Sequence, residues 1–230
     1  MAREHLYLHE VIDIVGQGAS PYMAHTAGFH AETAADRGLT LLGTWQVVGA
    51  TGRWPQVVNL WEMVDGWSGW ERLVNAANVR RSENTELNQW WDEAYQWRSG
   101  GFDRLLLGAD GSPTLSQLLG DGVTGSVFVH EIARVRPGAV RDYLRAVVET
   151  RQPTLADYRH RLVGAYEVAM SDTEAITVWA TDLASHTDAL RNVDTDERLR
   201  AWRTEARSWI TERREELMVP HPGTPLAPRS

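Results

Sequence analysis

The sequence predicts an α+β fold in which one β-α-β-β-α-β unit occurs twice in tandem. Two observations carry this prediction. The run YLHEV at residues 7–11 reappears 121 positions later as FVHEI at 128–132. The run VVNLWEM at 57–63 reappears 118 positions later as AITVWAT at 175–181. Runs that recur in the same order and at nearly the same shift indicate a duplicated structural unit.

The elements of the first half follow from local patterns. Residues 5–14 are rich in β-branched and aromatic side chains, which predicts a strand. A helix is predicted from Ser20-Pro21, where a serine cap precedes a proline in the first helical position, to Gly38. The remaining elements are strands at about 40–49 and 56–63, a broken helix at about 66–98 and a short strand at 104–107.

The second half repeats this order. Residues 126–135 read as a strand, and the next apolar positions, from Val140 to Val148, recur at helical spacing. This helix is predicted to end before Pro153. The remaining elements are strands at about 162–170 and 174–181, a broken helix at about 185–217 and a short strand at 217–220.

The β-α-β-β-α-β order of each half is ferredoxin-like. The predicted boundaries are a first repeat at 1–110, a linker at 111–124, a second repeat at 125–220 and a flexible tail at 221–230. Each four-stranded sheet has an apolar face that a single repeat would leave exposed to solvent, so the two repeats are expected to form one barrel within the chain.

Composition excludes several classes of function. The chain has 230 residues, is 43% apolar, carries a formal net charge of −8 and contains no cysteine. The negative charge disfavours nucleic acid, and no apolar run has the length of a membrane span or a signal peptide. The expectation is a cytoplasmic protein without disulfides, thiolate metal sites or a cysteine nucleophile.

The run from Gly43 through Trp45, followed by QVVNLWEM at 56–63, resembles the NIPSNAP signature, in which a Gly-aromatic strand leads into N-x-V-x-H-L-W-E-Y. The LWE letters match, whereas Asn59 stands where the family has His and Met63 where it has Tyr. Residues 129–138 resemble the family's opening L-R-T-Y-T-x-x-P-G. The resemblance covers residues 5–110 well and 126–217 less well.

This resemblance implies the dimeric α/β-barrel superfamily, with the unit duplicated in one chain. Relatives in that superfamily include cofactor-independent quinone-forming monooxygenases, aromatic polyketide cyclases and haem proteins. The resemblance therefore specifies the fold and leaves the function open.

His9 and His130 are the first candidate catalytic residues, because histidine titrates near neutrality and suits proton transfer from a phenol or enol. The alternative is a buried histidine bonded to backbone or carboxylate. A metal site made of each His and its neighbouring Glu is disfavoured, because successive strand side chains point to opposite faces. Asn59 is the third candidate: its amide could stabilise an enolate, or equally pair with nearby backbone.

Aromatic residues on the strands are expected to line a central cavity and stack on an aromatic ligand. Tryptophans at helical spacing are instead expected to pack against the sheets; these are Trp90, Trp97, Trp202 and Trp209. The predicted ligand-binding residues are Tyr7, Trp45, Trp61, Phe128, Tyr166 and Trp179.

The first functional hypothesis is a cofactor-independent monooxygenase or cyclase that takes a proton from a hydrophobic, aromatic or polyketide-like small molecule, as in secondary metabolism. The alternatives are a non-catalytic carrier of a hydrophobic ligand and a haem protein with His186 or His130 as axial ligand. No metal, nucleic-acid or membrane partner is predicted, and homodimer formation is left open. The second repeat has Thr177 in place of Asn59, so His9→Ala is expected to lower turnover more than His130→Ala.

Overall fold

The computed structural model describes residues 5–29 and 37–229. They form two compact units. The first comprises the chain up to Leu105 together with Pro220–Arg229, and the second comprises Leu106–Val219. The boundary between the units falls inside a strand, five residues before the predicted end of the first repeat.

The first unit has the predicted element order. Its strands are β1 (Leu6–Ile14), β2 (Leu39–Val47), β3 (Gln56–Met63) and the first part of β4 (Arg98–Gly108). Its helices are α1 (Ala19–Phe29), α2 (Gly66–Val74) and α3 (Thr85–Ala94). Strand β3 pairs antiparallel with both β1 and β2. Ile12, Val57 and Tyr22 form a buried cluster against which Trp90 packs.

The second unit repeats this order. Its strands are the end of β4, β5 (Val127–Val135), β6 (Arg161–Val168), β7 (Glu174–Thr181) and β8 (Ile210–Pro220). Its helices are α4 (Leu115–Gly120), α5 (Val140–Ala146), α6 (Gln152–Ala156), α7 (Leu183–Asn192) and α8 (Glu197–Ala206). Strand β5 pairs antiparallel with β7 and β8, and β6 pairs antiparallel with β7 and β4.

The hydrogen-bonded strand order is β1-β3-β2-β8-β5-β7-β6-β4, and it closes as a barrel. The predicted fold class, two ferredoxin-like repeats forming a barrel within one α+β chain, is confirmed. In the part of the chain that the structure describes, no helix is long and apolar enough to cross a membrane.

The helix that was expected to end before Pro153 continues past it. A π-helical turn at Val147–Arg151 follows α5 and leads directly into α6, where Pro153 lies in the first turn. The Gln152 backbone N–H donates to the Val147 carbonyl oxygen, so the helical hydrogen bonds continue up to the residue before the proline.

The last strand of each repeat is longer than predicted, because β4 and β8 have 11 residues each. Helix α8 ends at Ala206, and the charged residues at 212–216 belong to β8, which pairs with β5 from Phe128 to Val135. Residues 211–214 are polar or charged and largely exposed, so this strand lacks the apolar alternation that identifies a strand in a sequence.

The predicted linker and the predicted flexible tail both contain buried side chains. In the predicted linker, Thr114 and Gln117 form a capping box at the start of α4, which buries Leu115 and Leu118. In the segment after β8, the His221 backbone N–H donates to the Thr44 carbonyl oxygen over 3.0 Å, and Leu226 and Ala227 are buried.

A glycine lies two residues before a buried aromatic ring on the second strand of each repeat, as Gly43 before Trp45 and Gly164 before Tyr166. A Cβ atom at either glycine would overlap that ring, and both rings are fully buried. We expect Gly43→Ala to lower the free energy of unfolding by about 1–3 kcal/mol, the usual cost of overpacking.

Urea denaturation measures this loss, with Gly28→Ala as the matched control. No atom lies within 4 Å of a Cβ added at Gly28 in α1, so the control is expected to be neutral or to stabilise by up to about 1 kcal/mol. Equal stability of the Gly43 variant and the native chain would contradict the overlap.

Candidate functional site

The glutamate and the histidine of each repeated His-Glu pair lie on opposite faces of their sheet, because side chains alternate along a strand. Glu131 accepts a hydrogen bond from the Tyr143 hydroxyl on α5, so its face is the one that the helices cover. Asn59 is paired opposite Glu10 and shares the corresponding face in the first unit. His9 and Asn59, proposed together from the sequence, therefore lie on opposite faces.

Glu131 is the centre of a buried charge cluster in the second unit. It is fully buried and accepts hydrogen bonds from Arg151 Nη1 over 2.9 Å, from Arg213 Nε and from the Tyr143 hydroxyl. Glu215 accepts hydrogen bonds from Arg151 Nη2 over 2.6 Å and from Arg213. Two carboxylates thus neutralise two guanidinium groups.

The cluster keeps its charges at neutral pH. Burial raises the pKa of the Glu131 carboxyl, but the Arg151 and Arg213 guanidinium groups outweigh burial and hold that pKa at about 2. Burial, and then the negative charge of Glu131, raise the pKa of the Tyr143 hydroxyl well above its ordinary value. Tyr143 therefore remains a hydrogen-bond donor to Glu131.

A pocket of about 210 Å³ lies next to this cluster, inside the second unit. Trp179 from β7 and Trp202 from α8 line it, and the Arg151 guanidinium carbon lies 5.2 Å and 5.6 Å from their ring centres. Apolar walls with a few convergent polar groups are typical of small-molecule sites. The polar residues that line the pocket are Arg151, His160, His186, Arg203, Arg213 and Glu215.

Two of these polar residues form a histidine pair. His160 Nε2 lies 3.2 Å from His186 Nδ1, and His160 Nδ1 lies 2.8 Å from the Tyr158 carbonyl oxygen. Burial lowers the pKa of His160 to about 4 and also lowers the pKa of His186. Both imidazoles are therefore neutral at neutral pH, the state in which a histidine can accept a proton.

The first unit contains a related cluster around Glu10, built from neutral donors. Glu10 accepts hydrogen bonds from Trp61 Nε1 over 2.7 Å and from Asn59 Nδ2 over 3.0 Å. The same Asn59 amide lies 3.2 Å from the hydroxyl of Tyr22 on α1. These partners account for the position of Asn59 in the folded unit.

His130 has a buried carboxylate partner on its own face. Its Nδ1 lies 2.9 Å from Glu216 Oε1, and both side chains are at most 1% exposed. Burial raises the pKa of Glu216, but the bond from His130 and the charge of Arg214 outweigh burial and lower it. This geometry suits a structural histidine and an oriented base equally. His9 is also fully buried.

The predicted ligand-binding aromatics do not share one face. Trp179 lines the pocket, whereas its counterpart Trp61 is bonded to Glu10. The strand registers and alternation place the other four on the faces of the two repeated histidines; these are Tyr7, Trp45, Phe128 and Tyr166.

Sequence reasoning missed five polar residues that line the pocket, namely Arg151, His160, Arg203, Arg213 and Glu215. It named His186 only as a haem ligand. A signal existed for two of them: once 210–220 is read as a strand, Arg213 and Glu215 fall on one face. Among residues 5–29 and 37–229, no group of three His, Asp or Glu side chains is arranged to hold a metal ion.

No family model and no curated protein matches the chain. Solved structures are similar to it in fold. A candidate monooxygenase from Lactobacillus acidophilus NCFM aligns with a TM-score of 0.63 and 9% identity, over 94% of both chains. A candidate monooxygenase from Fusobacterium nucleatum subsp. nucleatum aligns with a TM-score of 0.61 and 10% identity, over 96% of this chain and 94% of that one.

An anthrone oxidase-like protein aligns with a TM-score of 0.63 and 12% identity, over 95% of this chain and 92% of that one. A NIPSNAP family protein from Agrobacterium tumefaciens aligns with a TM-score of 0.38 and 20% identity, over 44% of this chain and 97% of that one. At these identities the three alignments with TM-scores above 0.6 show a shared fold. The NIPSNAP alignment covers less than half of this chain.

Proposed function

We propose that the chain is an enzyme that removes a proton from a hydrophobic aromatic small molecule bound in the pocket of the second unit. The observation that carries this proposal is the pocket itself, which is lined by two tryptophan rings, a neutral histidine pair and three residues of the ion cluster. The rings supply flat surfaces for an aromatic ligand. The imidazoles supply a base.

The ion cluster suits the charge that such a reaction creates. A neutral substrate that loses a proton becomes an anion, and the imidazole that gains the proton becomes a cation. Arg213 and Glu215 both line the pocket, so fixed charges of either sign are present. Groups that are already held in place stabilise developing charge without reorganisation.

The pocket favours a small substrate. Its volume of about 210 Å³ lies below the roughly 300–1,000 Å³ of sites for drug-sized ligands, which favours one or two rings. The monooxygenase and anthrone oxidase names of the fold neighbours suggest a subsequent step in which dioxygen attacks the carbanion. That step converts a ring CH₂ to C=O and releases one water. Alternatively, the carbanion attacks a carbonyl carbon of the same molecule and closes a ring.

We propose that this reaction needs no resident cofactor. The small volume of the pocket supports this proposal over the haem alternative with His186 as axial ligand, because the haem macrocycle is larger than drug-sized ligands, whose sites have roughly 300–1,000 Å³. Addition of haem to the purified protein is expected to produce no Soret band of a histidine-ligated complex. A stoichiometric band would favour the haem alternative.

The probe for this function is 2-tetralone, a two-ring ketone with an acidic CH₂ group. We expect it to quench the tryptophan fluorescence of the protein and to exchange its α-protons in D₂O faster than in buffer, as followed by NMR. Binding without exchange would instead support the carrier hypothesis. If neither 2-tetralone nor 1-naphthol binds or exchanges protons, the proposal is contradicted.

Two variants locate the site. Leu190 is 55% exposed and lines the pocket, so Leu190→Trp is expected to block the entrance with little effect on folding. Trp202→Leu is expected to weaken binding at least tenfold by removing one wall. Trp90→Leu is the matched control, because Trp90 is the counterpart of Trp202 in the first unit and should leave binding unchanged.

His130 is the second candidate base for the same reaction, because Glu216 would orient its ring and stabilise its cation. His9 and Asn59 remain part of that sequence-based proposal. The hydrogen bonds from Asn59 to Glu10 and Tyr22 favour a structural role for its amide. Comparison of the histidine variants decides between the two sites.

A further inference from the structure

We propose that His186 presents an unprotonated Nε2 to the pocket as the base, and that His160 is the positioning residue that fixes this tautomer. The assignment of the base rests on the proposed function. The tautomer itself does not, because it can be measured in the absence of any substrate.

The tautomer follows from the directions of two hydrogen bonds. The Tyr158 carbonyl oxygen can only accept, so the hydrogen on His160 lies on Nδ1, 2.8 Å away. A neutral His160 then has a lone pair on Nε2, which must accept from its neighbour. The neighbour is His186 Nδ1, at 3.2 Å, which therefore carries the hydrogen of that ring. The lone pair of His186 is left on Nε2.

The backbone around His160 holds this chain of bonds in place. The N–H groups of both Tyr158 and His160 donate to the Leu155 carbonyl oxygen over 3.0 Å, which closes the turn after α6. Between them, Arg159 adopts a left-handed conformation with φ of 53°. The Tyr158 hydroxyl is also anchored, since it donates to Asp196 Oδ2 over 2.9 Å.

The start of α7 holds the other ring. Asp182 caps this helix, and its Oδ1 accepts from the Ser185 N–H over 2.8 Å. His186 follows in the first turn, where the helix dipole disfavours a positive charge. Burial lowers the pKa of His186 further, whereas Glu215 opposes that effect. The charged groups around the pair are Arg151, Asp182, Arg203, Arg213 and Glu215.

The proton transfer balances without a co-reactant. A C–H or O–H bond of the substrate breaks, its electron pair stays on the substrate, and the proton forms an N–H bond at His186 Nε2. The imidazolium that results keeps its Nδ1–H bonded to His160. His160 therefore acts without touching the substrate.

Nitrogen-15 NMR of the histidine side chains tests the tautomer. In the ligand-free native protein at pH 7, we expect His186 to be protonated on Nδ1 and bare on Nε2. In His160→Leu, the group that accepts the hydrogen bond from His186 Nδ1–H is lost, so we expect the Nε2–H form of His186 to increase. In His160→Gln, the side-chain oxygen can replace the acceptor and is expected to restore the native tautomer. Native His186 with hydrogen on Nε2, or as an imidazolium, would overturn the proposal.

The exchange assay adds a second readout. We expect His160→Leu to lower kcat for 2-tetralone exchange at least about tenfold with little change in KM, and His160→Gln to recover most of it. In the native protein, activity should fall on acidification only below pH 6.5, because the pKa of His186 is lowered. The expected tautomer together with absent turnover would contradict the proposed function alone, whereas turnover with the other tautomer would contradict this inference alone.

Discussion

Replacing Glu131 with alanine is expected to lower the free energy of unfolding by about 3–5 kcal/mol. The Arg151 guanidinium is 5% exposed and would be left with one carboxylate partner in place of two. A buried cation that loses a partner regains no hydration in exchange, which makes this truncation costly. Urea denaturation followed by circular dichroism measures the loss.

Glu10→Ala is the matched control for this prediction. It removes the corresponding carboxylate of the first repeat, whose described donors, Trp61 and Asn59, are neutral. Leaving neutral donors unpaired costs about 1–3 kcal/mol. Equal losses in the two variants would mean that the ion cluster contributes no more than the neutral one.

The same cluster sets an acid dependence of stability. The pKa of Glu131 is lowered from 4.5 to about 2 by Arg151 and Arg213 acting against burial. Its ionisation therefore stabilises the fold fully above pH 4.5, and this contribution, about 3 kcal/mol, is lost as the pH falls towards 2. We expect Glu131→Gln to lack this part of the acid dependence, whereas the native chain and Glu10→Gln should retain it.

The repeat made most of the fold predictable. Strands with dense β-branched and aromatic residues, such as β1 and β5, were located from sequence to within one residue at each end. Strand β8 was not, because residues 212–216 are all charged and the strand therefore lacks apolar alternation. Its identity as a strand depends on pairing with β5, which is a long-range contact that local patterns do not encode.

The candidate site was less predictable because it combines three kinds of element. Arg151 comes from a π-helical turn, His160 from the turn before β6 and Glu215 from the unrecognised strand β8. Sequence patterns identified the repeated Glu131 and Trp179, but gave no means of relating them to these residues. The two repeated histidines attracted the functional hypothesis instead, because histidine is the residue type most often used in proton transfer.

The two repeats share a scaffold and differ in the groups around it. Tyr22 and Tyr143 are related by the same shift of 121 residues as Glu10 and Glu131, and each hydroxyl belongs to the cluster of its unit. The sequence-based argument found the first repeat chemically richer, on the strength of Asn59. The structure instead surrounds the glutamate of the second repeat with charged partners, next to a pocket.

The catalytic base is therefore expected in the second repeat, next to this pocket. We expect His186→Ala to lower kcat/KM for 2-tetralone exchange by about 10²–10⁴, the usual cost of losing a catalytic base. His9→Ala and His130→Ala should lose less, because their rings lie on sheet faces that the helices do not cover. His5→Ala, at an exposed residue before β1, is the control for unspecific effects. Thermal melts establish that each variant is folded.

Two outcomes would place the proton-accepting imidazole outside the pocket of the second unit. A greater loss of kcat/KM in His9→Ala than in His186→Ala would support the sequence-based site in the first repeat. A greater loss in His130→Ala would identify the His130–Glu216 pair as the base.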